Sequence, residues 1–249
     1  MRFLLYNIRY GAGTGHGFHL PVPFSGYFRR THGNFDRIRD FIRSQAPDIV
    51  GLVEVDGGSF RTDRRGQART IARDLAHEHV FETKYANHSV VGKMPLLSKQ
   101  GNSVSTNRPI LERRFHYLNN GVKRLVIEME LEEVTVFLVH LSLKFRHRQH
   151  QLQDLYTIVK QARKPVIVAG DFNAFWGDRE LALFLAASGL KNANDTGMPS
   201  HPAKAPRRQL DYILHSPELR VAAFQIPQVT YSDHVPLVCD FEFPIPKAA

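Results

Sequence analysis

The sequence predicts an α/β fold in which helices cover sheets that are at least partly antiparallel. Three observations carry this expectation. Short apolar runs alternate with helical patterns along most of the chain, as layered sheet and helix require. Between about Arg148 and Ala162, the residues Leu152, Leu155, Ile158, Val159 and Ala162 recur at three-to-four-residue spacing on one helical face. Glu132-Glu133 separates two β-rich runs and reads as a hairpin turn, so the fold is not a simple doubly wound one.

Taken in order, the strands expected are Phe3 to Ile8, Asp48 to Val53, Leu125 to Leu131, Val134 to Leu141, Val166 to Ala169, Leu210 to Leu214 and Val235 to Phe243. Further helices are expected over Ile38 to Ser44, Arg69 to Glu78 and Arg179 to Ala187, the last closed by Ser188-Gly189. Gly11 to Gly33 and Asn192 to Arg208 are the least regular stretches and read as loops at a functional rim.

A chain of 249 residues with 43% hydrophobic content fills one substantial core, so a single domain over residues 1–249 is expected. Lys and Arg outnumber Asp and Glu by 33 to 24, a net charge of +9, which favours an anionic partner: nucleic acid, a phosphorylated small molecule or an acidic membrane surface. Cys239 is the only cysteine, which excludes an intramolecular disulfide and a thiolate-rich zinc site. The apolar run at the start is too short for a signal peptide and no stretch is long enough to span a bilayer, so a cytoplasmic location is expected.

The chemistry sits where polar residues end apolar runs. Pro165-Val166-Ile167-Val168-Ala169-Gly170 leads into Asp171-Phe172-Asn173, and period-two geometry places Asp171 and Asn173 on one side. A carboxylate beside an amide suits metal-assisted hydrolysis; the plainer alternative is an Asp-Asn turn that ends a strand. Asp211 interrupts the strand Leu210 to Leu214, and such a buried acid needs a partner. His234, in Ser232-Asp233-His234, offers one, and a hydrogen bond from one ring nitrogen to Asp211 would aim the other. Asp233 and His234 can serve one site only ahead of regular strand pairing. Asn7, Glu54 and His140 end three more apolar runs.

In this order, Asn7, Glu54, Gly101-Asn102-Ser103-Val104-Ser105, His140-Leu141, Gly170-Asp171-Phe172-Asn173, Leu210-Asp211-Tyr212 and Ser232-Asp233-His234 resemble the endonuclease/exonuclease/phosphatase superfamily, the deoxyribonuclease-I-like fold. The resemblance spans nearly the whole chain. It implies a four-layered α/β sandwich, two mixed sheets face to face with helices outside. It implies Mg²⁺ or Mn²⁺ at Glu54, with Asn7 and Asp233 near the metal. Asp171, helped by Asn173, would activate the attacking water. His234 with Asp211 would contact the scissile phosphate, and His140 would approach from the other side as phosphate ligand or general acid. Oxygen ligands without thiolates agree with a hard cation. Val53 stands where many members place Gln. Asn102 and Arg124 fall in less uniform segments and are carried as rim or support residues. Arg148, in the basic run Arg146 to His150, is placed near substrate phosphate, against the alternative of a solvated basic surface.

The superfamily includes nucleases, abasic-site endonucleases, sphingomyelinases, inositol polyphosphate phosphatases and deadenylases, so the resemblance implies a metal-dependent phosphoester hydrolase and leaves its substrate open. The charge and the pairs Arg29-Arg30, Arg64-Arg65, Arg113-Arg114 and Arg207-Arg208 place a nuclease acting on DNA or RNA first. The aromatic loop Phe18 to Phe28 is open to three readings, stacking on bases, insertion into lipid or folding back as a packed flap, and a phospholipid or small-molecule phosphodiesterase stands second. A non-catalytic binding module on the same fold stands last, and no protein partner is required.

Overall fold

All eight residues of the strand Ile49–Asp56 are buried, a pattern that arises only where a strand is covered on both faces. The computed structural model describes residues 1–15, 31–84, 97–121 and 123–243 and supplies both covers. The expected aromatic loop Phe18 to Phe28 and the Arg29-Arg30 pair lie outside the described residues.

The first sheet holds β1 (Arg2–Asn7), β2 (Ile49–Asp56), β3 (Glu78–Thr83), β4 (Gln100–Thr106), β11 (Arg220–Gln225) and β12 (Leu237–Glu242), in the order β11-β12-β1-β2-β4-β3. The second holds β5 (Glu112–Tyr117), β6 (Leu125–Glu130), β7 (Thr135–His140), β8 (Val166–Asp171), β9 (Lys191–Asn192) and β10 (Asp211–His215), in the order β5-β6-β7-β8-β10-β9. Each sheet is mixed: β1 with β2 and β7 with β8 are the parallel pairs, and the other neighbours are antiparallel.

Between the sheets lies a core of Phe3, Leu5, Ile49 and Val53 from one side and Leu125, Ile127, Leu138 and Ile213 from the other. On the outer face of the first sheet, α1 (His32–Ser44) contributes Phe35, Ile38 and Ile42, and α2 (Gln67–Asp74) contributes Ala68 and Ile71. On the outer face of the second, α3 (Phe145–Val159) contributes Leu152, Leu155 and Val159, and α4 (Ala182–Ser188) contributes Phe184. The four layers are those expected.

The hairpin at Glu132-Glu133 is present, with the Leu131 amide donating to the Val134 carbonyl across 2.9 Å. The helix expected over Arg69 to Glu78 is shorter. It stops at Asp74, Ala76 turns left-handed at φ 55°, and Glu78 already begins β3. Strands β3, β4, β5, β9 and β11 lack long apolar runs and stand outside the sequence expectation. Among the described residues, no helix is long and apolar enough to cross a membrane.

Candidate active site

The parallel pairing of β7 and β8 sets His140 opposite Asp171, and the antiparallel pairing of β8 and β10 sets Asp211 opposite Asp171. Three chemically active side chains thereby stand side by side at one sheet end. In the other sheet, β1 and β2 run parallel with Asn7 opposite Val53, which places Glu54 one residue further along. Asn7 Nδ2 donates to Asp171 Oδ2 at 3.0 Å, joining the two sheet ends.

Local backbone irregularities set these positions. Asp171 follows Gly170, whose φ is 152° and where an added Cβ would lie 1.9 Å from the Val139 carbonyl oxygen; only glycine lets β7 and β8 approach so closely here. Glu54 lies in an irregularity of the β2–β4 ladder with φ 57°, a left-handed conformation rare for a side-chain-bearing residue. Its amide hydrogen goes to Asn102 Oδ1 at 3.3 Å, so Asn102 supports the backbone that presents Glu54.

Asn173 departs from the period-two expectation. β8 ends at Asp171, and Asn173 is left-handed at φ 51°. Its amide hydrogen goes to Asp171 Oδ1 at 3.0 Å, and its Nδ2 donates to the Leu141 carbonyl at 3.0 Å. Asn173 therefore fixes the Asp171 carboxylate and the segment that follows His140.

His234 and Asp233 precede β12, ahead of regular pairing as expected. His234 Nδ1 lies 2.6 Å from Asp211 Oδ2, an oxygen that also accepts from Ser200 Oγ at 2.6 Å. Burial pushes the His234 pKa down, but the carboxylates of Asp211, Asp171 and Asp233 outweigh it and raise it to about 10. The ring is an imidazolium at neutral pH, with Nε2 4.0 Å from Asp171 Oδ2. Burial raises Asp171 itself to about 6, against the opposing charge of His234. Asp233 pairs with Arg9, Oδ2 to Nε at 3.3 Å.

His140 is buried, and burial together with the charges of Lys123 and Lys84 holds its pKa well below the ordinary value. The Lys123 ammonium donates to its Nε2, which leaves the proton on Nδ1, a buried atom with no hydrogen-bond partner. Lys123 and Lys84 also stand 3.7 and 3.5 Å from Glu54 Oε1. Burial lowers Lys84 to about 8, and its Nζ donates to Tyr10 Oη at 2.6 Å.

The structure thus unites Asn7, Glu54, Asn102, His140, Asp171, Asn173, Asp211, Asp233 and His234. Sequence reasoning missed Lys84, Lys123, Ser200 and Arg9. Lys123 adjoins Arg124, the residue carried from sequence; the Arg124 carbonyl closes the β5–β6 hairpin by accepting from Leu118 N–H. Arg148 is a correction. Its guanidinium is buried against Glu180 and donates to the Ser142 and Leu143 carbonyls at 2.9 Å, so it fastens loops instead of facing substrate.

The donor set fits a hard divalent cation. It consists of carboxylate and amide oxygens with imidazoles and no thiolate, and Asp211 Oδ1 is a buried oxygen without a hydrogen-bond partner. Carboxylate oxygens of Asp171 and Asp211 lie within 4.8 Å of one another and of a His234 ring nitrogen, and an Asp233 oxygen lies as near to His201. The His234 imidazolium itself offers no lone pair to a cation.

Residues 4–234 match the sequence model of the Endonuclease/Exonuclease/phosphatase family. The uncharacterised protein YbhP of Escherichia coli strain K12 is 29% identical over 224 residues, spanning 80% of this chain and 85% of that protein. The human nocturnin catalytic domain with bound sulfate anion superposes with a TM-score of 0.70 at 24% identity, over 98% of this chain and 94% of that one. TDP2 of D. rerio complexed with single-strand DNA product gives a TM-score of 0.69 at 14% identity, over 97% and 98%.

Proposed function

Because the chain belongs to the endonuclease/exonuclease/phosphatase family, we propose that it is a divalent-metal-dependent hydrolase of phosphodiester bonds, acting on nucleic acid. The observation that carries this reading is the Asn7–Asp171 hydrogen bond. It brings the carboxylate, amide and imidazole residues of two separate sheets to one place.

Glu54, with Asn7 and Asp233, would hold Mg²⁺ or Mn²⁺; such an ion supplies Lewis-acid polarisation of a phosphoryl oxygen. Asp171, with a pKa of about 6, is matched to taking a proton from the attacking water near neutral pH. Asn173 and Asn7 hold its two oxygens in place. The His234 imidazolium, aimed by Asp211, binds a phosphate oxygen and compensates the charge that develops there. His140 is neutral and its Nε2 accepts from Lys123, which disfavours a general-acid role and leaves the ring to hold that ammonium at the site. Lys123 brings a positive charge beside it.

Nucleic acid is favoured by the net charge of +9 and by the similarity to TDP2, a protein described in complex with single-strand DNA product. The test is a panel of plasmid DNA, RNA, sphingomyelin, inositol phosphates and bis(p-nitrophenyl) phosphate, with Mg²⁺, Mn²⁺ or EDTA. Metal-dependent cleavage of DNA or RNA is expected. Cleavage of lipid without nucleic acid would move the substrate to the second reading, a phospholipid phosphodiesterase, and full activity in EDTA would defeat the mechanism.

A further inference from the structure

Beside the candidate site lies a surface that the proposed chemistry does not use. Trp176 is 68% exposed and Phe145 44% exposed, and their ring centroids are 5.0 Å apart. Adjacent exposed aromatic rings make a contiguous apolar patch, the kind of surface that marks an interaction site. Both rings are tied closely to the candidate site. Trp176 lies three residues past Asn173, and Phe145 lies in the segment after His140, whose Leu141 carbonyl accepts from Asn173 Nδ2.

The two loops are locked together from below. Trp176 N–H donates to Glu180 Oε1 at 2.9 Å, and the other oxygen of Glu180 holds the buried Arg148 guanidinium. Arg148 in turn binds the carbonyls of Ser142 and Leu143 and lies 5.9 Å from the Phe145 ring. The pair is therefore pre-organised, a rigid platform with little ordering left to do on binding.

The surroundings are cationic. Lys144, Arg146, Arg179, Arg207 and Arg208 are exposed along the three segments that border the platform, where Asp178 is the one exposed carboxylate. Arg208 lies over the Phe175 ring at 5.6 Å, and its segment pairs with His201, whose ring is 4.8 Å from that of His234. Positive charge thus continues from the platform to the candidate phosphate site.

We propose that the Phe145–Trp176 pair is a stacking site for an unpaired nucleobase of single-stranded nucleic acid whose backbone follows the Arg207–Arg208 segment into the candidate active site. Aromatic platforms interleaved with cations recognise single strands because every base has a π-face, whereas bases in a duplex are already stacked. The inference deepens the proposed function and takes from it the position of the scissile phosphate.

Trp176 is the single tryptophan of the chain, so its fluorescence reports on the platform directly. In EDTA, to prevent cleavage, the protein is titrated with a twelve-residue oligothymidylate, with a duplex of the same length, and with vesicles of phosphatidylcholine and phosphatidylserine. Saturable quenching by the single strand and a much weaker response to duplex are expected. Anisotropy of a labelled oligothymidylate should show affinity reduced about tenfold by Trp176→Ala and largely restored by Trp176→Phe. Unchanged fluorescence with the oligonucleotide overturns the inference, as does a blue shift confined to vesicles, which would assign the surface to a membrane. Hydrolysis of bis(p-nitrophenyl) phosphate by the wild type with Mn²⁺ is measured in parallel. Hydrolysis without quenching removes the platform and keeps the phosphodiesterase; quenching without hydrolysis of any substrate does the reverse.

Discussion

His234 Nδ1 and Asp211 Oδ2 meet at 2.6 Å in a buried setting, although 23 positions separate them along the chain. A carboxylate oxygen can only accept here, so the imidazole donates and its Nε2 is left aimed toward Asp171. Asp211→Asn keeps the shape and removes the charge. Turnover of the preferred substrate should fall by roughly 100-fold or more, with the circular dichroism spectrum unchanged. Activity within threefold of wild type would remove Asp211 from the mechanism.

The same pair makes stability depend on pH. The pKa of His234 is raised from 6.5 to about 10 in the fold, so between those values the folded chain holds a proton that the unfolded chain releases. This contribution is complete below pH 6.5 and is lost as pH rises through about 10. Urea midpoints of wild type and His234→Gln, measured in chelator, should therefore converge between pH 6 and pH 10. Divergence over that range would contradict the assignment.

Glu54→Gln removes a charge while leaving the amide that Asn102 holds. Hydrolysis should drop to near background at ordinary Mg²⁺ or Mn²⁺ concentrations, and EDTA should do the same to wild type. Isothermal titration with Mn²⁺ is the direct measurement. Undiminished Mn²⁺ affinity in the variant would move the metal to other residues.

Gly170→Ala must displace the Val139 carbonyl, since 1.9 Å is far inside any contact distance, and it must also hold φ near 152°. A loss of about 4 kcal/mol or more in unfolding free energy is expected from urea denaturation. A loss under 1 kcal/mol would mean that β7 and β8 separate more easily than their pairing implies.

Arg148→Ala should behave as a packing lesion. Breaking a buried pair by removing one partner costs about 3–5 kcal/mol, so Tm should fall by roughly 10 °C. A large rise in KM at unchanged Tm would restore Arg148 to the substrate.

Asn7, Glu54, His140, Asp171 and Asp211 were legible because each interrupts an apolar run, and the interruption survives without tertiary information. Asn7, His140 and Asp171 close strands and Asp211 opens one, whereas Glu54, expected at a strand end, sits at an irregularity inside β2, which continues to Asp56. Lys84 and Lys123 were not legible. Lys84 directly follows β3 and Lys123 lies between β5 and β6, at positions decided by strand pairing, and a lone lysine there looks like any surface lysine. β4 was missed for a related reason: Gln100, Asn102, Ser103 and Ser105 are buried polar residues, so no apolar pattern marks the strand. Arg148 was misplaced because the helix-dipole argument sees only its own helix, whereas its partner Glu180 comes from 32 positions away.

β1 lies between β2 and β12, and Met1 and Phe241 exchange backbone hydrogen bonds at 2.8 Å. The two halves of this central pairing stand 240 positions apart in sequence. Until β12 pairs, β1 keeps an open edge, and His234, which precedes β12, has no fixed station opposite Asp211. A chain in which β1 and β12 have not yet paired therefore lacks the His234–Asp211 contact, so the candidate site closes only with the sheet itself.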